Sequence, residues 1–342
     1  DVTSGTYNTA VGAMAGINLT TGSGNVVIGK TALYTSTDID HCVAIGFEAM
    51  QNGDATSGAD ETVAIGWRAL NDLTSGADNT AVGSQALVNL TTGHSNVAIG
   101  WGAMISATTA QLAVGIGYKA LYSNTTSQCN TAVGYTSQRL TTTGTMNTST
   151  GFDALGANTT GNRSTSFGAQ SGSVNTTGDN NIFIGYDAGV SGSPGGAITT
   201  ADNEICLGDE NISAANIQVD WTIASDKRDK TDVSPMDLGL EFINKLEPVT
   251  YRWDKRSKYS DDQSATPDGT HKEEQLEGGF LAQDVEAIEE QYGHKLSDKT
   301  NLTFHLSDDE KMYGIKYGKF VPMLVKAVQE LSAEVEELKA KL

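Results

Sequence analysis

The sequence predicts a mainly β chain: a repetitive parallel β-roll of period 17, followed by an α+β domain that ends in a coiled-coil helix. Three observations carry this. Glycines recur at 12, 29, 46, 66, 83, 100, 117, 134, 151, 168, 185 and 208. The step is 17 except for 20 before Gly66 and 23 before Gly208, which read as loop insertions of three and six residues. Each glycine closes a short stretch such as Asn8-Thr-Ala-Val-Gly12 or Asn96-Val-Ala-Ile-Gly100. The charge then changes character: of 22 Lys and Arg, only Lys30, Arg68, Lys119, Arg139 and Arg163 precede Ala224. The predicted domains are 1–220, a repeat region, and 221–342.

Within a repeat, a three-residue strand alternates, so Val97 and Ile99 share one face and Ala98 points to the other. The Val/Ile face is expected to be the coil interior. Its column reads Val11, Ile28, Ile45, Ile65, Val82, Ile99, Ile116, Val133, Thr150, Phe167, Ile184 and Leu207, apolar except at Thr150. The closing glycine supplies one corner, and Thr20-Thr21-Gly22 or Thr91-Thr92-Gly93 the other. A second short strand is predicted at Ala32-Leu33, Ala49-Met50, Ala69-Leu70, Ala86-Leu87, Ala103-Met104, Ala120-Leu121 and Ala154-Leu155. Neighbours on a strand face opposite ways, so Ala and Leu cannot both fill one thin coil. One column is therefore expected to pack about the axis of a symmetric oligomer, with the Ala/Leu strand near the contacts. Twelve coils at about 4.8 Å give a rod roughly 55 Å long.

Composition narrows the function. With 38 Gly and 5 Pro among regularly placed aliphatic residues, the chain reads as an ordered solenoid, and its net charge of −20 argues against nucleic acid or an anionic membrane as partner. Three cysteines without CxxC, and five scattered histidines without HExxH, indicate neither a disulfide framework nor a metal site, and no cofactor is expected. No apolar run is long enough for membrane insertion. Asp1 begins at the edge of a repeat, from which a longer parent protein is expected.

One column has a functional reading. Phe47, Trp67, Trp101, Tyr118, Tyr135, Phe152 and Tyr186 each follow a closing glycine, with Lys30 and Ser84 in the same column. Such a rail either stacks on sugar rings, with Trp67, Trp101, Tyr118 and Tyr135 as candidate glycan contacts, or covers seams between subunits. The acids Asp72, Asp153 and Asp187 form no repeated pair of the kind that glycoside cleavage needs.

Beyond Trp221 the pattern changes. Leu238, Phe242, Ile243 and Leu246 lie at helical spacing, Val249–Trp253 reads as a strand, and Gly279–Ala282 as another leading into a helix from Gln283 to Gln291. Residues 255–277 are charged and read as an exposed loop. Leu324, Val328, Leu331, Val335, Leu338 and Leu342 alternate spacings of four and three, the a/d seam of a short helical bundle, with a single amphipathic surface helix as the competing reading. Between the two regions lies Ala224-Ser225-Asp226-Lys227-Arg228-Asp229-Lys230. A serine five residues before a lysine is the minimum for a Ser-Lys dyad, in which a neutral amine takes the hydroxyl proton; the plain alternative is a solvated turn.

Two resemblances add to this. The repeats are similar to the heads of trimeric bacterial adhesins, left-handed parallel β-rolls with recurring N-S-V-A-I-G, here in longer, Thr-rich units. The motifs Ser225-Asp226-x-Arg228-x-Lys230, Leu246-Glu-Pro-Val-Thr-Tyr251-x-Trp253, Gly279-Phe-Leu-Ala-Gln-Asp-Val285, Tyr313-Gly-Ile-x-Tyr317 and Leu324-Val-Lys-Ala-Val-Gln-Glu-Leu331 resemble, in order, the intramolecular chaperone (peptidase S74) domain of endosialidase-type phage tailspikes and fibres. The resemblance implies a homotrimeric virion tail fibre or spike, assembled in the host cytoplasm and binding a host surface glycan or receptor. It implies a single-turnover serine peptidase without an external substrate: Ser225 as nucleophile, Lys230 as base, Ala224-Ser225 as the bond cut, and Asp226 and Arg228 as supporting motif residues. Asp229 stands where that family carries an aliphatic residue. The competing expectations are a bacterial trimeric adhesin, which should end in a membrane barrel, and a fibre with a permanent, non-cleaving chaperone tip.

Overall fold

The computed structural model describes residues 4–53, 55, 57–260, 263–307 and 309–342; Asp1, and with it the expectation about the start of the chain, lies outside them. Two compact units are present, residues 1–210 and 211–342.

The first unit is the predicted solenoid. Twelve three-residue strands, from Thr9–Val11 to Ile205–Leu207, form one parallel sheet in sequence order. Residue i pairs with i+17 along most of it, as in Val97 with Val114. The pairings Val43 with Val63 and Ile182 with Ile205 absorb the two insertions as loops. The closing glycines from Gly12 to Gly168 have φ between 131° and 143°, and a Cβ on any of them would lie 2.2–2.8 Å from the carbonyl oxygen of the next closing glycine. These positions thus exclude side chains twice over, by conformation and by direct packing of backbone on backbone. The Thr-Thr-Gly corner is as predicted: a Cβ on Gly22 would meet the Ile39 carbonyl oxygen at 2.2 Å, and Thr74 and Thr91 hydroxyls donate to the Thr carbonyl one coil on, at 2.8 and 3.0 Å.

The interior is the reverse of the expected one. The central strand residue faces inward: Val27, Ala44, Ala64, Ala81, Ala98, Ala132 and Phe183 are buried, while Ile28 and Ile99 are exposed and Val97 half-buried. The Val/Ile column from Val11 to Leu207 is therefore an outer surface. Nor is there a second strand at the Ala/Leu pairs. Those residues form turns in which Leu33, Met50, Leu70, Leu87, Met104, Leu121 and Leu155 take left-handed φ of 48–53°, alternating with Thr31, Glu48, Arg68, Gln85, Lys119 and Asp153 at 52–62°. A chain that alternates hand does not pleat, so consecutive side chains both turn inward, and Ala32 with Leu33, or Ala69 with Leu70, are fully buried together. The large residue comes from the turn, and only a small one fits opposite it on the strand. Phe183 shows the same size rule from the other side: its ring fills the space that Gly172 and Gly189 leave, where a Cβ would lie 2.6 and 2.4 Å from it.

Left-handed conformation costs a non-glycine residue roughly 1–2 kcal/mol. It persists because these turns have ladders of their own, for example Leu70 N–H to Ala86 O at 3.0 Å and Met104 N–H to Ala120 O at 2.9 Å. A buried asparagine column ties the coils further. The Asn96 amide donates to Ala110 O at 2.8 Å, and its Oδ1 accepts from Ala113 N at 3.1 Å; Asn130 and Asn147 repeat the pattern.

The second unit contains helices α1 (Leu240–Lys245), α2 (Ala282–Glu289) and α3 (Phe320–Ala340) and two antiparallel pairs, Val249–Tyr251 with Glu277–Gly279 and Phe304–Leu306 with Tyr313–Ile315. The Gly279–Ala282 strand thus lies two residues earlier than expected, and the 304–315 hairpin was not anticipated. Leu238, Phe242, Val285, Phe320 and Met323 form its core. Two carboxylates stitch it: Glu330 on α3 accepts from Leu240 N at 2.6 Å, and buried Glu289 accepts from the backbone of Leu302 and Thr303 at 3.0 and 2.9 Å. The predicted a/d residues on α3, from Leu324 to Leu338, and Leu342 beyond its end, all remain exposed.

Candidate functional site

The seam forms a tight turn. Lys227–Asp229 is a single 3-10 turn whose N-cap, Asp226, accepts from Arg228 N at 2.9 Å. The same carboxylate takes the Arg228 guanidinium at 2.6 Å from Nη2 and 3.1 Å from Nε. That contact holds the Asp226 carboxyl below its ordinary range and raises Arg228 above its own. The turn reverses the chain enough for Lys230 Nζ to donate to Ser225 Oγ at 2.6 Å. The structure thus brings the two expected dyad residues into hydrogen-bond contact, with Asp226 and Arg228 shaping the turn between them. Ala224, Ser225, Asp229 and Lys230 are all exposed. The two side chains thus lie within hydrogen-bond reach in the single chain, with the lysine as donor and both open to solvent.

Immediately before the seam runs a segment that the sequence reading passed over. Ile217-Gln-Val219-Asp-Trp221-Thr-Ile223 alternates large apolar and polar residues, the pattern of a half-buried strand. It pairs with no strand among the described residues, and all four apolar residues are more than half exposed. Period-two alternation was the available signal.

The aromatic column is built as a stack. Trp101, Tyr118, Tyr135 and Phe152 follow one another with ring centroids 5.1, 4.9 and 5.5 Å apart and planes within 17° of parallel. Tyr118 and Tyr135 therefore turn both faces to neighbouring rings. Lys119 Nζ lies 5.4 Å from the Trp101 and Tyr118 centroids alike and 4.9 Å from Tyr122. Trp67 lies beyond Ser84 in the column, half exposed.

Of the three cysteines, Cys42 and Cys206 are buried and Cys129 is exposed. Burial pushes the Cys42 thiol up to about 12 and raises Cys206 as well. Among the described residues no three His, Cys, Asp or Glu side chains are placed to hold a metal ion, and no helix is long and apolar enough to cross a membrane.

Residues 225–294 match the peptidase S74 family, chaperone of endosialidase, a family of self-cleaving peptidase-like domains. The match begins at Ser225, the first residue after the bond expected to be cut. Searches of curated proteins and of solved structures found no match to the chain. The chain thus carries a chaperone-of-endosialidase segment behind a parallel β-solenoid.

Proposed function

We propose that the chain is the distal part of a phage tail fibre or spike, in which the C-terminal unit aligns three copies for folding and then removes itself by cutting Ala224-Ser225. The observation that carries this is the 2.6 Å contact between Lys230 Nζ and Ser225 Oγ at the first residue of the family match. In the reaction, Ser225 Oγ attacks the Ala224 carbonyl carbon while its proton passes to the Lys230 amine. The amine returns the proton to the Ser225 nitrogen as the peptide bond breaks, leaving an ester between Ala224 and the Ser225 side chain. Water hydrolyses the ester to a new carboxyl terminus at Ala224 and a free amino terminus at Ser225. The lysine acts as a base only when desolvated, so cutting waits for assembly to cover the exposed turn.

Self-association is supported by three exposed apolar faces among the described residues. These are the outer Val/Ile column of the roll, the Ile217–Ile223 segment, and the a/d residues of α3. A roll contact between copies falls on the Val/Ile face, since the Ala/Leu turns are consumed inside their own coil. Parallel solenoid chains need their register set before folding, and a helical clamp supplies it. Host attachment by the roll is part of the same reading.

The test is the mass of the purified full chain, native and denatured. A native trimer whose denatured fragments span residues 1–224 and 225–342 is the expected result. Ser225→Ala and Lys230→Ala should each give an uncut trimer. A folded monomer at micromolar concentration would sink the assembly reading, and normal cutting by Lys230→Ala would sink the dyad. A wild-type trimer that stays whole would favour a permanent tip. Asp229→Leu, which restores the family's aliphatic residue beside Lys230, should then start the cutting.

A further inference from the structure

We propose that Trp67, Ser84 and Trp101 form a slot that holds one pyranose ring of a neutral glycan. This deepens the host-attachment part of the reading above. The three residues occupy successive coils in register, since Ile65 pairs with Val82 and Val82 with Ile99, and they leave the backbone after glycines of nearly equal φ, 135°, 136° and 131°. Two coil steps put the backbone positions that carry the two indoles about 9.6 Å apart. Further along the column every level from Trp101 to Phe152 carries a ring, and the rings close on one another at about half that distance. At Ser84 the ring is replaced by a small hydroxyl side chain. An interposed ring needs van der Waals contact on two faces at about 4 Å each, roughly 8 Å in all, and the remainder suits the pucker of a saturated six-membered ring.

The face of Trp101 that looks towards Ser84 is not taken by Lys119. With Trp101 and Tyr118 only 5.1 Å apart, an ammonium 5.4 Å from both lies beside the pair and not beyond Trp101. Both indoles are about 40% exposed, 45% for Trp67 and 39% for Trp101. The Ser84 hydroxyl and the neighbouring Gln85 offer hydrogen bonds to sugar hydroxyls, and the net charge of −20 favours a neutral sugar over a polyanionic one. Ala169 makes a comparable gap between Phe152 and Tyr186, but without an indole, and the Tyr186 hydroxyl is tied to Gln170.

The test titrates the full chain with hexaoses of glucose, mannose and galactose, followed by tryptophan emission. Saturable binding of at least one is expected, weakened tenfold or more by Trp67→Ala or Trp101→Ala and by less than twofold by Tyr135→Ala. Ser84→Phe completes the aromatic stack, so it should keep the fold and abolish binding. Binding that survives Ser84→Phe overturns the slot, as does failure of all three sugars. So does a change of assembly mass in Ser84→Phe without sugar binding, which would make the column a seam between copies. Cutting and trimerisation are read by mass in the unaltered chain, so either proposal can fail while the other stands.

Discussion

The roll and the C-terminal unit solve the same problem in opposite ways. In the roll each coil is completed by the next: backbone ladders run through strands and turns alike, asparagines bridge levels, and the interior side chains are fully buried. The C-terminal unit has a small core around Phe242 and Phe320, and leaves Leu324, Val328, Leu331 and Leu338 of its longest helix in water. A repeat that contacts only its neighbours propagates easily but has nothing to set the register between chains. A unit with an unfilled helix face would do that if, as proposed, copies complete its core. On that proposal the difference separates what one chain stabilises alone from what other copies finish.

The largest effect that would break this comparison is expected on α3. Leu331→Asp with Leu338→Asp should abolish assembly and cutting and leave the roll misfolded or aggregated, as read by light scattering. In a monomer the same exposed positions would tolerate the change to within about 0.5 kcal/mol. Next comes the roll's own backbone. Gly100→Ala places a Cβ 2.5 Å from the Gly117 carbonyl oxygen and should cost about 3 kcal/mol or more, seen as loss of the cooperative thermal transition. Asn96→Ala leaves Ala113 N and Ala110 O unpaired inside the coil, for about 2–4 kcal/mol by denaturant titration.

A smaller pair of variants tests which strand face is inside. Ala98→Val should destabilise by about 1–3 kcal/mol through overpacking, whereas Ile99→Thr, the residue type already present at Thr150, should leave an unassembled chain nearly unchanged. The opposite order would restore the Val/Ile interior. The smallest effect concerns acid. Because the Asp226 carboxyl is held below its ordinary range, the contribution of its contact with Arg228 is present above roughly pH 4 and is lost as pH falls through the lowered value. The protection of the Arg228 amide, its exchange rate relative to an unstructured amide at the same pH, should therefore fall as the carboxyl takes up its proton, and Asp226→Asn should remove the dependence.

Much of this was legible in the residues. The spacing of the closing glycines gave coil number, register and both insertions, because a position where a Cβ would strike the next carbonyl admits no substitute and so marks the period without noise. At the seam, spacing offered only Ser225 and Lys230 as a candidate pair, and Asp226 and Arg228 entered through the motif resemblance. Ile217–Ile223 was equally readable by alternation and was overlooked, since the change in charge at the seam drew the boundary past it.

What only the tertiary structure decided is which side of each strand faces in. Hydrophobicity alone points Val97 and Ile99 to the core, yet a thin coil has room for one large residue per level, and left-handed turns deliver Leu87 or Met104 to that place first. The strand can then contribute only Ala98, and its larger neighbours are left outside. Similarly, the sequence by itself determined that a serine and a lysine stand at the seam, but not that they touch. The Asp226 cap and its pairing with Arg228 fold that turn, and neither contact follows from spacing alone. Local geometry is written in the order of residues; which of two apolar faces is buried depends on the volume that the rest of the coil leaves free.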